Sequence, residues 1–265
     1  MKVSVNAVWD ETLAFIRAER ALIVPLALGT IYLAAVVLLA TAFFLPQGIR
    51  GLMLLIAGSW SIAGQLALID LTRGGGRSVR DALGVAMHRL PWAVLVYFLV
   101  GMLFTLLAAP ILLALMKTGY TLEQLSVLMA DQTKLQALSA ALPGWAGLYV
   151  LALLAGCLFL FVRLLLWKAA LVELGRPVAA FKASWETTRG KFWALFGLLI
   201  LALVVIELVD WALAAGLGTL FLLVGRSLRS PVVAQLVPAL LVALVSTAFQ
   251  TVVTLFLAIL YRRAA

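Results

Sequence analysis

The chain is organised around long apolar runs that are separated by short polar segments rich in arginine and lysine. Each run can form a membrane-spanning helix, because about 20 apolar residues cross a hydrocarbon layer roughly 30 Å thick. The runs do not alternate between apolar and polar residues, as the strands of a membrane barrel would. The sequence therefore predicts an all-α, polytopic membrane helical bundle with six spans, at about residues 22–45, 50–70, 91–116, 143–166, 192–214 and 232–260.

Three of the polar segments carry an amphipathic helical pattern directly before a span. In the second of them, for example, Val79, Leu83 and Met87 share one face, and charged residues occupy the other. A helix with this pattern lies in the headgroup region with its apolar face towards lipid. We therefore expect interfacial helices at about residues 4–20, 77–90 and 176–191, and an amphipathic helix on the opposite side of the membrane at about residues 121–139.

A short internal sequence repeat suggests that the spans come in repeated units. The segments before spans three and five share a glycine-arginine-x-valine start, and each then reaches an arginine and a tryptophan: Gly76-Arg77-Ser78-Val79 with Arg89 and Trp92, and Gly175-Arg176-Pro177-Val178 with Arg189 and Trp193. The simplest architecture is three consecutive units, each an interfacial helix followed by a transmembrane hairpin. The N-terminal unit fits this scheme only in its pattern of apolar and polar residues.

The fifth span is the least regular of the six. The stretch from Phe192 to Gly225 is longer than one membrane crossing requires. Either the helix projects beyond the bilayer, or it breaks near Gly216 and Gly218 and continues along the outer surface. We favour the break, because two glycines within three residues weaken a helix.

Composition and charge fix the class of protein and predict its orientation. The chain is 65% hydrophobic and 12% charged, whereas a soluble domain is about 45–50% apolar and about 25% charged. Fifteen of the 20 lysines and arginines lie before the first span, in residues 73–89 and 163–191, and after the last span. By the positive-inside rule, these segments and both termini are cytoplasmic. The net charge of +9 then needs no nucleic acid, since anionic lipids are sufficient partners.

Basic residues near the predicted cytoplasmic face are the candidate lipid contacts. The candidates for contact with headgroups or the membrane surface are Arg73, Arg77, Arg80, Arg89, Arg176, Lys182, Arg189 and Lys191. The glycine-rich segment between Arg73 and Arg77 has two interpretations: a flexible turn that touches anionic lipid, or a specific phosphate site before a helix N-terminus. It is not a Walker A sequence, because the Gly-Lys-Ser/Thr ending is absent.

Polar residues inside the predicted spans are the second group of candidates. Glu207 and Asp210, at i and i+3, share one helix face and are costly in a membrane unless they are paired, protonated or hydrated. They could serve proton- or cation-coupled transport, or they could be solvated or paired structural groups near the outer interface. For Gln65 and Gln250 the default is a hydrogen bond between helices.

The sequence gives no positive sign of enzyme chemistry. His88 is the only histidine, so a multi-histidine metal site cannot form, and no Gly-x-Ser-x-Gly nucleophile motif occurs. The single cysteine, Cys157, lies in the fourth span beside Gly156 and suits a packing role. We therefore predict no catalytic residue, no metal and no cofactor.

The six spans, the amphipathic segments and the glycine-arginine-x-valine starts together resemble the membrane-domain family found fused to some bacterial glycerophosphodiester phosphodiesterases. They also resemble related small stand-alone six-helix inner-membrane proteins of unassigned function. The resemblance covers nearly the whole chain and implies a bacterial inner-membrane location and a link with lipid or envelope processes. It transfers no catalytic residue, because the phosphodiesterase chemistry of the fused members belongs to a separate soluble domain.

Two functions are compatible with these patterns. The first is a non-enzymatic inner-membrane protein that binds or organises lipids or a membrane partner protein. The alternative is a proton- or ion-coupled transporter, or a lipid translocase, that uses the Glu207 and Asp210 region. A path lined by polar groups through the bundle would favour transport, whereas a dry bundle with a lateral, lipid-accessible groove would favour the first function.

Overall fold

In a computed structural model, residues 4–74, 76–117, 144–227 and 231–265 are described, and every regular element among them is helical. Six helical stretches are long and apolar enough to cross a membrane: Arg20–Phe44, Gly48–Leu71, Val79–Lys117, Gly144–Leu174, Phe192–Leu213 and Gln235–Ala264. The prediction of an all-α polytopic bundle with six spans is therefore confirmed. The helix predicted at about 121–139 lies outside the described residues.

Eleven α-helices and two π-helical segments make up the described chain. In order they are α1 (Val5–Ala18), α2 (Arg20–Ala27), a π segment (Leu28–Tyr32), α3 (Leu33–Phe44), α4 (Gln47–Leu71), α5 (Val79–Lys117), α6 (Gly144–Arg163), α7 (Trp167–Leu174), α8 (Pro177–Thr188), α9 (Phe192–Leu213), a second π segment (Ala214–Gly218), α10 (Thr219–Ser227) and α11 (Pro231–Ala264).

The three predicted interfacial segments are all helical, but they join their spans differently. The first is α1, and the third is α8, which Gly190 separates from α9 with a positive φ of 76°. The segment predicted as a separate helix at 77–90 is instead the beginning of α5, which continues through Pro91 to Lys117. One reason is visible in the packing. Ala82, Ala86 and Ala93 are fully buried and share one helix face across Pro91.

The start of α5 is capped by two side chains. The Ser78 hydroxyl donates to the Asp81 carboxylate over 2.6 Å, and the Asp81 backbone N–H donates to the Ser78 hydroxyl over 3.2 Å. The Ser78 backbone N–H also donates to Asp81 over 3.3 Å. This reciprocal arrangement satisfies N–H groups that a helix end otherwise leaves unpaired.

The fifth span changes geometry at the two glycines where the sequence predicted a break. The regular α-helix ends at Leu213, and the π segment that contains Gly216 and Gly218 leads directly into α10. The interruption is therefore a widened helical turn rather than a loop. Helix α10 then packs against α11.

Another π segment lies in the first span, three residues after Pro25. It brings Gly29 to Trp60 of α4, whose indole N–H donates to the Gly29 carbonyl over 2.9 Å. The same segment places Thr30 against Gly64, where a Cβ would lie only 2.0 Å from the Thr30 hydroxyl oxygen. Span one and span two thus approach closely because position 64 has no side chain.

The chain divides into two compact units. The first comprises the residues up to Val94 and those from Val162 onward, and its buried core lies where α4, α7 and α11 pack together. The second comprises Leu95–Phe161, within which the Tyr149 hydroxyl donates to the Leu107 carbonyl over 2.7 Å. Many large apolar side chains of both units are exposed, as expected where the surrounding solvent is lipid.

Candidate functional site

Many charged residues of the first unit lie on a connected set of elements, which we call the basic end: α1, the segment that joins α4 to α5, helices α7 and α8, and the last turn of α11. Hydrogen bonds and ion pairs connect these pieces directly. Arg263 of α11 pairs with Glu11 of α1 over 2.5 Å, and Arg262 donates to the Thr72 carbonyl at the end of α4. The two ends of the described chain therefore meet here.

A buried carboxylate lies at the centre of the basic end. Asp70, near the C-terminus of α4, is fully buried. Arg73 approaches one of its oxygens to 3.3 Å, and Arg77 donates to the other oxygen. A buried charge without such partners would cost several kcal/mol. The two arginines are therefore oriented by Asp70, while their side chains stay 37% and 32% exposed.

The backbone of the glycine-rich segment and the cap of α5 show which groups face a ligand there. Gly74 and Gly76 have φ values of 71° and 68°, which other residues rarely adopt. At the N-terminus of α5, the Ser78 and Asp81 N–H groups are already bonded to each other's side chains. The partly exposed side chains of Arg73 and Arg77 are further groups there that can bind an anion.

A second polar contact joins α4 to α7. The Lys168 ammonium group donates to the side-chain oxygen of Gln65 over 2.5 Å, and Gln65 in turn lies 3.5 Å from the Ser61 hydroxyl. Gln65 is buried. It therefore makes the hydrogen bond between helices that was expected for it, with a lysine that the sequence did not single out.

Arg89 joins α5 to the connection between α7 and α8. Its guanidinium group donates to the Gly175 carbonyl over 3.2 Å. Gly175 ends α7 in the left-handed conformation, with φ of 71°. A Cβ at this position would lie 2.2 Å from the Arg89 guanidinium, so a side chain here would displace the end of Arg89. Arg89 thus supports the packing of helices rather than extending freely towards lipid.

Helix α8 is packed through small and polar residues. Ala180, Ser184 and Thr188, spaced four residues apart, are fully buried. The Ser184 hydroxyl donates to the Arg163 carbonyl over 2.9 Å, which ties α8 to the end of α6. Phe181 stacks on Trp167, with ring centroids 5.8 Å apart. These contacts therefore fix the packed side of α8, which contains Ala180, Ser184 and Thr188.

The opposite side of α8 is exposed, and we call it the α8 outer face: Val178, Lys182, Trp185 and Arg189. These residues recur at i, i+4, i+7 and i+11 along one stripe. Val178 is 80% exposed and Trp185 is 40% exposed, with exposed cations between and beyond them. The Arg163 guanidinium lies 5.1 Å from the Trp185 ring centroid, which holds the indole in place.

The eight predicted lipid contacts therefore differ in their surroundings. Arg80, Arg176, Lys182 and Arg189 are exposed, and Lys191 is partly exposed. Arg73, Arg77 and Arg89 make the internal contacts described above. The sequence did not identify Asp70, Lys168 or Arg262 as structural partners. For Asp70 a signal existed in Arg73, which follows it at i+3, whereas Arg77 lies in the connection after α4, where helical spacing no longer applies.

The two carboxylates of the fifth span have different surroundings. Glu207 is exposed on the outside of α9 beside Leu208, which is also exposed. Asp210 is partly buried, and its Oδ1 atom is enclosed without a hydrogen-bond partner among the described residues. Gln250 of α11 is partly buried. In the described part of the chain, no group of three or more histidine, cysteine or acidic residues could hold a metal ion.

The fold defines a polytopic α-helical membrane protein. No protein-family model, curated protein or solved structure matches the chain. The resemblance to the membrane-domain family therefore stays a prediction that rests on the residues quoted for it.

Proposed function

We propose that the chain is a non-enzymatic bacterial inner-membrane protein whose basic end binds and organises anionic lipids of the cytoplasmic leaflet. The observation that carries this proposal is the α8 outer face. In water, an exposed valine and an exposed tryptophan on the same stripe as two cations would be unfavourably placed. At a membrane interface, the apolar pair enters the acyl boundary while Lys182 and Arg189 meet phosphates.

Two further features support the same proposal. The distribution of lysine and arginine favours cytoplasmic N- and C-termini, and with that orientation the basic end would face the anionic leaflet. The buried contacts of Ser184 and Phe181 also hold α8 in a fixed orientation, so its outer face is presented without further rearrangement. Each cation near such a leaflet contributes about 1 kcal/mol.

The proposal is tested by the lipids that remain bound after gentle extraction. Lys182→Gln with Arg189→Gln should lower the retained phosphatidylglycerol, relative to phosphatidylcholine, by about 30-fold, which corresponds to about 2 kcal/mol for two cations. The control is Arg50→Gln with Lys117→Gln, which removes the same charge elsewhere. Equal losses of phosphatidylglycerol in both variants would show that retention depends only on net charge, and this would contradict the proposal. A stoichiometric protein in place of lipid would instead indicate a membrane partner.

A transport function has one observation in its favour. The enclosed Asp210 Oδ1 atom without a partner among the described residues suits a group that exchanges a proton or a cation. The exposed position of Glu207 argues against a shared internal site. Proton or sodium flux into proteoliposomes should disappear with Glu207→Gln and Asp210→Asn if the pair carries transport. Flux that survives both substitutions removes this candidate.

A further inference from the structure

We infer that Arg73, Arg77 and Arg262 form a binding site for the phosphomonoester headgroup of phosphatidic acid. This inference rests on the proposed lipid-binding function, and it names both a site and a lipid class. The three guanidinium groups meet at the C-terminal end of α4, where two contact Asp70 and the third contacts the Thr72 carbonyl. The α8 outer face is not part of this site.

The charges around the site do not balance. Three full positive charges meet one carboxylate, because no carboxylate except Asp70 lies within ion-pair distance of these arginines among the described residues. The end of α4 adds a partial charge of about −0.5. The neighbouring Arg263 is neutralised by Glu11. The site therefore retains roughly +1.5, from the three guanidinium groups less the carboxylate and the helix end.

The geometry leaves the arginines able to bind a ligand. Each guanidinium has five N–H donors in a planar fork. The hydrogen bonds to Asp70 and Thr72 use one nitrogen of each, namely Nη1. Arg73 and Arg77 are about one-third exposed, and Arg262 is exposed. Asp70 holds the first two on its two oxygens, so both guanidinium groups lie at one carboxylate and keep their other nitrogens for a ligand.

The position of the site selects a lipid rather than a soluble ligand. Thr72 directly follows Leu71, the last residue of the second span, so the arginines lie at the level of the headgroups. A phosphomonoester carries about −1.5 to −2 charges at neutral pH, whereas a phosphodiester carries only one. Phosphatidic acid therefore matches the residual charge, and phosphatidylglycerol matches it less well.

The test compares the binding of dioleoyl phosphatidic acid and dioleoyl phosphatidylglycerol to the purified full chain by native mass spectrometry. The wild-type chain should bind phosphatidic acid about tenfold more tightly, a difference of about 1.4 kcal/mol. Arg262→Gln leaves both Asp70 ion pairs intact, and it should bring the ratio close to one. Arg262→Lys keeps the charge and should restore part of the preference.

The matched control is Arg263→Gln, which removes the adjacent arginine whose charge Glu11 already balances. This variant should keep the wild-type preference. Equal loss in Arg262→Gln and Arg263→Gln, or equal binding of the two lipids by the wild-type chain, would overturn the inference. Displacement of phosphatidic acid by excess inorganic phosphate would make this a soluble-phosphate site and overturn the lipid assignment.

The same measurements separate this inference from the proposed function. Lys182→Gln with Arg189→Gln should weaken both lipids to a similar extent and leave their ratio unchanged. If that variant binds both lipids normally while Arg262→Gln loses the preference for phosphatidic acid, the proposed lipid binding by the α8 outer face is wrong. The phosphate site is then supported. If the opposite result is found, the proposed function stands and the phosphate site is wrong.

Discussion

The ammonium group of Lys168 donates a 2.5 Å hydrogen bond to the side-chain oxygen of Gln65, so that α7 is joined to α4 inside the buried core. The two residues are 103 positions apart in the chain. Because Gln65 is buried, loss of the lysine leaves its oxygen without this charged donor. The contact therefore couples the second span to the segment that follows the fourth.

We predict that Lys168→Met lowers the free energy of unfolding by about 1.5–3 kcal/mol, the range for hydrogen bonds to charged groups. A double-mutant cycle with Gln65→Met, measured by steric trapping in bicelles, should give a coupling energy above about 0.5 kcal/mol. Lys182→Met is the control, because Lys182 is exposed. Additive effects of the two core substitutions would show that the hydrogen bond contributes nothing to the free energy of unfolding.

The spans were predictable because each consists of a long uncharged run, whose length and composition alone select a membrane helix. The sequence also predicted where the helix of the fifth span changes geometry, because Gly216 and Gly218 lie in the second π segment. The π geometry itself was not predictable. It depends on the packing of neighbouring helices, which the local sequence does not specify.

The candidate site was only partly predictable. Lys182 and Arg189 were identified because the amphipathic pattern put them on the polar face of their helix, and both are exposed. That pattern put Val178 and Trp185 on the opposite face, whereas the α8 outer face contains all four residues. Lys168 and Arg262 were missed because their partners, Gln65 and the Thr72 carbonyl, are distant in sequence. The continuation of α5 through Pro91 was also missed, because proline usually marks a helix start or a kink.

The close contact between Arg89 and Gly175 predicts a specific intolerance to alanine. Gly175→Ala should lower the free energy of unfolding by about 2 kcal/mol, since its left-handed backbone costs about 1–2 kcal/mol and the new Cβ displaces the Arg89 guanidinium. Gly190→Ala is the matched control, because Gly190 has a φ of 76° and open space around it.

The contribution of the displaced arginine can be isolated with a second substitution. In an Arg89→Ala background, the cost of Gly175→Ala should fall to that of Gly190→Ala, because only the backbone strain remains. Thermal unfolding in detergent, followed by the loss of monomeric protein, provides the comparison. An unchanged cost in that background would mean that Arg89 does not limit position 175.

The approach of span one to span two predicts a steric effect at Gly64. Gly64→Ala would place a Cβ 2.0 Å from the Thr30 hydroxyl oxygen and 2.5 Å from the Thr30 Cβ, and overpacking of this kind costs about 1–3 kcal/mol. Gly58→Ala, on the same helix with nothing within 4 Å, should have little effect. Thermal stability in detergent distinguishes the two variants.

Substitutions at Thr30 test whether its contact with position 64 causes this loss of stability. Thr30→Gly should restore stability to the Gly64→Ala variant, whereas Thr30→Ala should restore less, because the Thr30 Cβ itself lies in the way. Equal stability of the Gly64→Ala and Gly58→Ala single variants would show that the two spans separate without cost. The π segment would then not fix their spacing.

The most direct test of the central claim is the membrane depth of Val178, the more exposed of the two apolar residues of the α8 outer face. A spin label at Val178→Cys, in a Cys157→Ser background, is compared by electron paramagnetic resonance in nanodiscs that contain phosphatidylglycerol. The account predicts that oxygen relaxes the label more strongly than a water-soluble nickel chelate does, as at the acyl boundary. A label that nickel relaxes more strongly would place α8 in water and contradict the account.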